Sequence, residues 1–225
     1  MSERVVAITG GHGVLGRAVL EAALADGLKV AVIDHTSRQA VPDGVLELGG
    51  VDLTDAGAAQ RAIDRVVERF GRLDALLNIA GGFVWQTVDD ADPAWSKLFA
   101  LNLTTALNAS RAALPHLKAS DAGRIVNVGS AAALKAGTGM GAYAASKSAV
   151  HRLTESLAEE LKASSVTVNA VLPSIIDTPA NRHDMPDADP ATWVAPADLA
   201  TVILFLASPE ARAITGALIP VTGRV

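Results

Sequence analysis

Thr9-Gly10-Gly11-His12-Gly13-Val14-Leu15-Gly16 decides the fold, because it separates a run with strand character from one with helix character. Residues 4–9 form a short, β-branched apolar run that reads as a buried parallel strand. Residues 14–26 set Leu15, Val19 and Leu24 on one side of a helix that Gly27 ends, and residues 28–33 give the next strand. Strand, turn, helix and strand make a βαβ unit, whose right-handed crossover builds a parallel sheet. At the turn, glycines permit positive φ and close backbone approach. The helix start behind them presents free N–H groups and a positive dipole end to a pyrophosphate. Gly10, Gly13, Leu15 and Gly16 are therefore candidate cofactor contacts, although a glycine-rich turn also occurs with no ligand.

Outward from this unit the same alternation continues. Strands are predicted at 45–48, 75–79, 125–129, 166–172 and 217–221, and helices at 56–70, near 95–118, at 142–163 and at 196–207. In the second helix Ile63, Val66, Val67 and Phe70 face inward, with Gly71 as the stop. No repeat, low-complexity tract or linker interrupts the pattern. At 225 residues the chain is about one and a half times a typical ~150-residue domain, a size that α/β folds hold in one core. The expectation is an α/β chain: one doubly wound Rossmann domain over 1–225, with a parallel sheet of about seven strands and helices on both faces.

Composition narrows the function. Half the residues are hydrophobic and 19% are charged, so the chain can fill a core and lacks the composition of a disordered protein. The longest stretches free of Asp, Glu, Lys and Arg, 75–88 and 163–176, have 14 residues, short of the ~20 a membrane-spanning helix needs. Neither a membrane partner nor a secretory leader is expected, and the cytoplasm is the default location. The absence of cysteine excludes disulfides, thiolate zinc sites and cysteine nucleophiles. A net charge of −5 and few aromatics argue against nucleic acid as a partner. The five histidines, at 12, 35, 116, 151 and 183, have no ligand spacing, so no metal site is expected.

Asp34 ends the second strand, 18 residues after Gly16, near the ~20-residue spacing at which an acid accepts hydrogen bonds from adenosine ribose hydroxyls. A carboxylate there repels a 2′-phosphate, so NAD (NADH) is expected over NADP; Arg38, in the loop that follows, is the cation that bears on this choice. A second constellation is Ser130, Tyr143 and Lys147, in which Tyr143 is the only tyrosine. Tyr143 and Lys147 are i and i+4 on a predicted helix, so an ammonium can favour the phenolate. Ser130, at a strand end, can hydrogen-bond a substrate oxygen beside that phenol. Taken singly, such a pair is also an ordinary surface contact, and a strand-end serine also an ordinary cap. Ser130 is not in a G-x-S-x-G elbow and the chain has no G-K-[ST] P-loop, so hydrolase and P-loop readings fail.

Over essentially its whole length the chain resembles the short-chain dehydrogenase/reductases. The glycine turn, Asp52-Leu53, Asn78-Ile79-Ala80-Gly81, Asn102, Val126 to Ser130, Tyr143-x-x-x-Lys147 and Pro173 to Thr178 occur in that family's order. The resemblance implies Tyr143 as general acid/base, Lys147 holding the nicotinamide ribose and lowering the phenol's pKa, and Ser130 orienting the substrate oxygen. It further implies Asn102 completing a proton relay. Asp52 and Leu53 would lie at the adenine, Ala80 and Gly81 along the adenosine ribose, and Pro173, Ile176 and Thr178 near the nicotinamide. Residues 175–195 would form a substrate lid. A homo-oligomer is implied, a tetramer or a dimer, built through the helices carrying Asn102 and Tyr143.

Val14, Ile79 and Ser174 depart from the family's usual residues, and loop shape is where these departures act. Ala80-Gly81-Gly82, Thr138-Gly139-Met140, Asp177 to Arg182 and Trp193 also resemble, locally, the dihydropteridine reductases, whose position matching Ser130 holds no hydroxyl. The leading expectation is an NAD(H)-dependent oxidoreductase that interconverts a small-molecule alcohol and its ketone or aldehyde. The alternatives are a dihydropteridine-type reductase and a nucleotide-binding regulator without turnover. Phe83, Trp85, Met185 and Trp193 are candidates for an apolar pocket wall and equally suit core or interface packing.

Overall fold

The computed structural model describes residues 4–37, 41–90 and 94–225. Seven strands, β1 (Val5–Thr9), β2 (Lys29–Ile33), β3 (Leu46–Leu48), β4 (Ala75–Asn78), β5 (Arg124–Val128), β6 (Thr167–Pro173) and β7 (Leu218–Val221), form one sheet. Its order is β3-β2-β1-β4-β5-β6-β7, and every pair is parallel. The expected doubly wound sheet is present, with strand ends within a residue or so of their predicted positions. Helices α1 (Val14–Ala25) and α7 (Pro196–Ala207) cover one face; α2 (Ala56–Phe70), α4 (Thr105–Ala119) and α5 (Gly141–Glu160) cover the other. The strands are apolar throughout because both faces are buried. Strand order reverses between β1 and β4, and a crevice opens there at their carboxyl ends.

Two elements differ from the expectation. The helix predicted near 95–118 is α3 (Ala94–Phe99) and α4 joined by a π-helical turn at Ala100–Thr104. Thr105 Oγ1 donates to the Leu101 carbonyl at 2.7 Å, and the side chain of Asn102 is bound outside the helix; both hold the backbone in the wider turn. Residues 175–195 contain a short helix, α6 (Pro179–Asp184), capped by the hydroxyl of Thr178, and a parallel bridge between Ile176 and Val194. Among the described residues no helix is long and apolar enough to cross a membrane.

The amino ends of the central strands are tied by a buried carboxylate. Asp74 accepts the Val5 N–H at 2.9 Å, the Ser120 hydroxyl at 2.6 Å and the Arg72 guanidinium at 2.7 and 2.9 Å. Burial alone would raise its pKa, but these donors hold it below the usual carboxylate range. Asp74→Ala is expected to cost about 3 kcal/mol, because it leaves buried donors unpaired. A depressed pKa places that contribution above about pH 4, and it fades as acid passes through the lower folded value. Denaturant midpoints of both proteins at several pH values check this: the gap should close in acid.

Candidate active site

The crevice has a volume of about 1070 Å³ and runs from the glycine turn to α6. At its floor the Thr9 hydroxyl accepts the N–H groups of Ile79 and Ala80, at 3.0 and 3.1 Å, and donates to the Leu77 carbonyl. Gly10 follows with φ +67, and a Cβ on it would stand 2.8 Å from Ala80. A Cβ on Gly16 would stand 2.2 Å from the Gly10 carbonyl oxygen. Only glycine permits both approaches. Gly13 caps α1, so Val14, in place of the family's glycine, begins a regular helix. Gly10, Gly13, Leu15, Gly16, Asp34, Asp52, Leu53, Ala80, Gly81, Ile176 and Thr178 all line this crevice, as do Tyr143 and Lys147. Pro173 ends β6 opposite Val221 and is not in the crevice wall.

Asp34 stands where β2 ends. Its carboxylate accepts the His12 N–H at 3.0 Å and the Thr36 N–H and hydroxyl, both at 2.9 Å. Burial acts to raise its pKa, yet the donors prevail and keep it ionised. Sequence reading missed His12, whose ring lies between Thr36 Oγ1 and Glu47 Oε1, each at 3.3 Å. Arg38 lies outside the described residues. Asp52 is exposed and caps its own turn through Thr54, at 2.7 and 2.9 Å.

At the other end of the crevice, α5 brings Tyr143 and Lys147 toward the end of β5. The Ser130 and Tyr143 hydroxyls face one another, and Ser130 Oγ accepts the Ala132 N–H at 3.2 Å. Phe83 stands edge-on to the Tyr143 ring, with centroids 5.0 Å apart. Lys147 Nζ is buried and donates to the Val128 carbonyl at 2.7 Å. Desolvation lowers its pKa to about 8. Burial raises the Tyr143 pKa, and the Ser130 hydroxyl only partly opposes it.

Asn102 sits in the π-turn, 1% exposed. It donates to Ser146 Oγ at 2.9 Å and to the Gly82 carbonyl at 3.1 Å, and accepts the Gly82 N–H at 2.8 Å. Ser146, also missed, in turn donates to the Tyr143 carbonyl at 2.8 Å. A Cβ at Gly81 would fall 2.7 Å from Asn102 Oδ1 and 3.3 Å from Lys147 Nζ, so only glycine lets the chain pass this close to both. Of the apolar candidates, Phe83 is exposed beside Tyr143, and Trp85 is exposed with its indole N–H donated to the Thr138 carbonyl. Trp193 is buried in the packing beneath residues 175–195.

A nicotinamide dinucleotide fits this arrangement. The glycines let the turn pack tightly against Ala80 and the start of α1, that helix start offers its amides to a phosphate, and Asp34 presents a fixed acceptor.

Comparison with known proteins agrees. Residues 4–189 match the family described as short chain dehydrogenase. The chain is 33% identical over 246 residues to 2-(S)-hydroxypropyl-CoM dehydrogenase 3 of Xanthobacter autotrophicus, covering 99% of this chain and 96% of that protein. A short-chain dehydrogenase/reductase structure from Brucella melitensis superposes with a TM-score of 0.89 at 29% identity, covering 98% and 95% of the two chains. The structure of ElxO with NADP bound gives 0.88 at 26%, covering 98% of each.

The buried lysine has a measurable consequence. Its folded pKa, about 8, lies below the ordinary ~10.4. Between these values the unfolded chain binds the extra proton, so stability rises with pH there, by an amount on the order of 3 kcal/mol. Lys147→Met should be the more stable protein near pH 7, and the difference should shrink toward pH 10 in urea titrations.

Proposed function

The chain belongs to the short-chain dehydrogenase family, and we propose that it is an NAD(H)-dependent oxidoreductase interconverting an alcohol and a ketone or aldehyde. The observation that carries this reading is the meeting of the Ser130 and Tyr143 hydroxyls, beside a buried lysine, at the carboxyl end of the sheet. When bound, the nicotinamide supplies or takes the hydride. The protein's own groups do the rest. Ser130 and Tyr143 hold the carbonyl oxygen between two hydroxyls, and Tyr143 gives it a proton as negative charge develops there. A phenol raised by burial is fully protonated at neutral pH, which suits the donor in the reducing direction. An alkoxide is far more basic than any phenol, so the transfer runs downhill. Lys147 holds the ribose hydroxyls and adds a positive charge to the site, and Asn102 fixes Gly82 and the α5 backbone around it.

NAD is favoured by Asp34. Its carboxylate is held in place by His12 and Thr36 and is ionised, so a 2′-phosphate brought to that strand end meets a fixed like charge. ElxO binds NADP, so the family accommodates either cofactor and the local charge decides. The cofactor is held by Gly10, Gly13, Leu15, Gly16, Asp52, Leu53, Ala80, Gly81, Ile176 and Thr178. Pro173 supports that wall from behind. Residues 175–195 act as the lid over the substrate, and the functional unit is a homotetramer.

Two results are expected. NADH should bind at least tenfold more tightly than NADPH, a difference of ~1.4 kcal/mol; equal affinities in fluorescence titration would remove Asp34 from its role. With NADH and a panel of ketones, diketones and quinonoid dihydropterin, a ketone should be turned over fastest. Tyr143→Phe should lower that rate by about 10²–10⁴-fold while leaving NADH binding unchanged. Full activity in the variant would overturn the mechanism.

A further inference from the structure

His151 lies one turn beyond Lys147 on the same face of α5 and is 2% exposed. Nothing in the mechanism above uses it. Its Nε2 accepts the backbone N–H of Ser130 at 3.3 Å. An imidazole nitrogen that accepts carries no proton, so the ring is neutral with its hydrogen on Nδ1.

The fit around the ring is close. A Cβ on Gly129 would lie 2.5 Å from Nε2 and 2.7 Å from Cδ2, so the imidazole occupies the space that the missing side chain leaves. The ladder between β5 and β6 also ends here: Gly129 N–H donates to the Val171 carbonyl at 2.9 Å, and Ser130 is the first amide past it. Without the ring, that amide would be a buried donor with no strand partner. Ser130 is thus held at two atoms, its N–H by His151 and its Oγ by the Ala132 N–H at 3.2 Å. Those two bonds fix the direction in which the hydroxyl faces Tyr143.

We propose that His151 is a positioning residue: as a neutral imidazole it anchors the Ser130 backbone and so aims the Ser130 hydroxyl, and its protonation releases that anchor. The role rests on Ser130 holding the substrate oxygen, as argued above. The electrostatics agree. Burial first, then the cations of Arg152 and Lys147, keep His151 below the ordinary imidazole pKa. Among the described residues no carboxylate offsets them at the ring. On α5, Glu155 is engaged by Arg152 at 2.9 Å, and Tyr143 is a neutral phenol. The ends of β5 and β6 and the turn at Ala131–Ala133 bear no ionisable side chain beside it. A proton on Nε2 would both displace the Ser130 N–H and add a third cation to Lys147 and Arg152. The anchored state is therefore the one present at neutral pH.

Two variants separate this role from simple core filling. His151→Leu keeps bulk and removes the acceptor; His151→Gln returns an acceptor oxygen near the Nε2 position that cannot titrate. In nitrogen NMR of histidine-labelled protein, the signal lost in either variant should show Nε2 unprotonated and Nδ1 protonated at neutral pH. Exchange of the Ser130 amide should be about tenfold or more faster in His151→Leu and near the parent's in His151→Gln, as expected for losing one buried hydrogen bond. On the ketone turned over fastest with NADH, His151→Leu should lower kcat about tenfold with NADH affinity unchanged, and His151→Gln should restore most of it. The His151 step should vanish from the acid limb of the kcat profile in His151→Gln. A protonated Nε2 at neutral pH, or a His151→Leu protein with the parent's kcat and pH profile, overturns the proposal. The spectra and the exchange rates need no substrate. An inactive parent that gives them as expected overturns the carbonyl reading while upholding the anchor.

Discussion

The Thr9 hydroxyl is the contact on which the rest of the site depends. It bonds the two amides that follow β4 and the carbonyl before them, so the ends of β1 and β4 are fixed to each other where the sheet's winding reverses. At that point consecutive crossovers leave on opposite faces, and nothing but side chains can fill the gap between them. Gly10 and Gly16 keep that gap open by bringing backbone to backbone distance with no side chain between. A cofactor crevice is then a topological remainder rather than something added to the fold.

From this seam the chemistry is placed by three different elements. The end of β5 supplies Ser130, α5 supplies Tyr143 and Lys147, and the π-turn supplies Asn102, and their hydrogen bonds cross between elements more than they run within them. Lys147 is the costly member. It is a buried ammonium with no carboxylate against it among the described residues, and its pKa of about 8 reflects that desolvation. A cation kept in such a place stabilises whatever brings oxygen atoms to it. Tyr143 is shifted the other way by the same burial, so the pair is poised with both protons on.

Much of this was legible in the sequence. Strands buried on two faces read as apolar runs, and a glycine turn between strand and helix can be placed to within a residue. Asp34, Ser130 and Tyr143 stand at strand ends or on a helix, where periodicity fixes their direction. What was not legible depends on contacts distant in sequence. The π-turn arises because Asn102 is bound to Gly82 and Ser146, and no local propensity records that. His12 and Ser146 gain their meaning only from partners across the crevice. Lys147 stands at i+4 from Tyr143, but its bond to the Val128 carbonyl is invisible to spacing.

The π-turn has a consequence for how such a chain can vary. A five-residue widening is one residue more than a regular helix requires, so deleting any one residue of Ala100–Thr104 would let α3 and α4 fuse into a straighter and locally more comfortable rod. The flanking helices would keep their faces, but the backbone that aims Asn102 would be redrawn and its bonds to Gly82 and Ser146 lost. Apart from Asn102, the side chains of that turn can be exchanged more freely than its length can be changed.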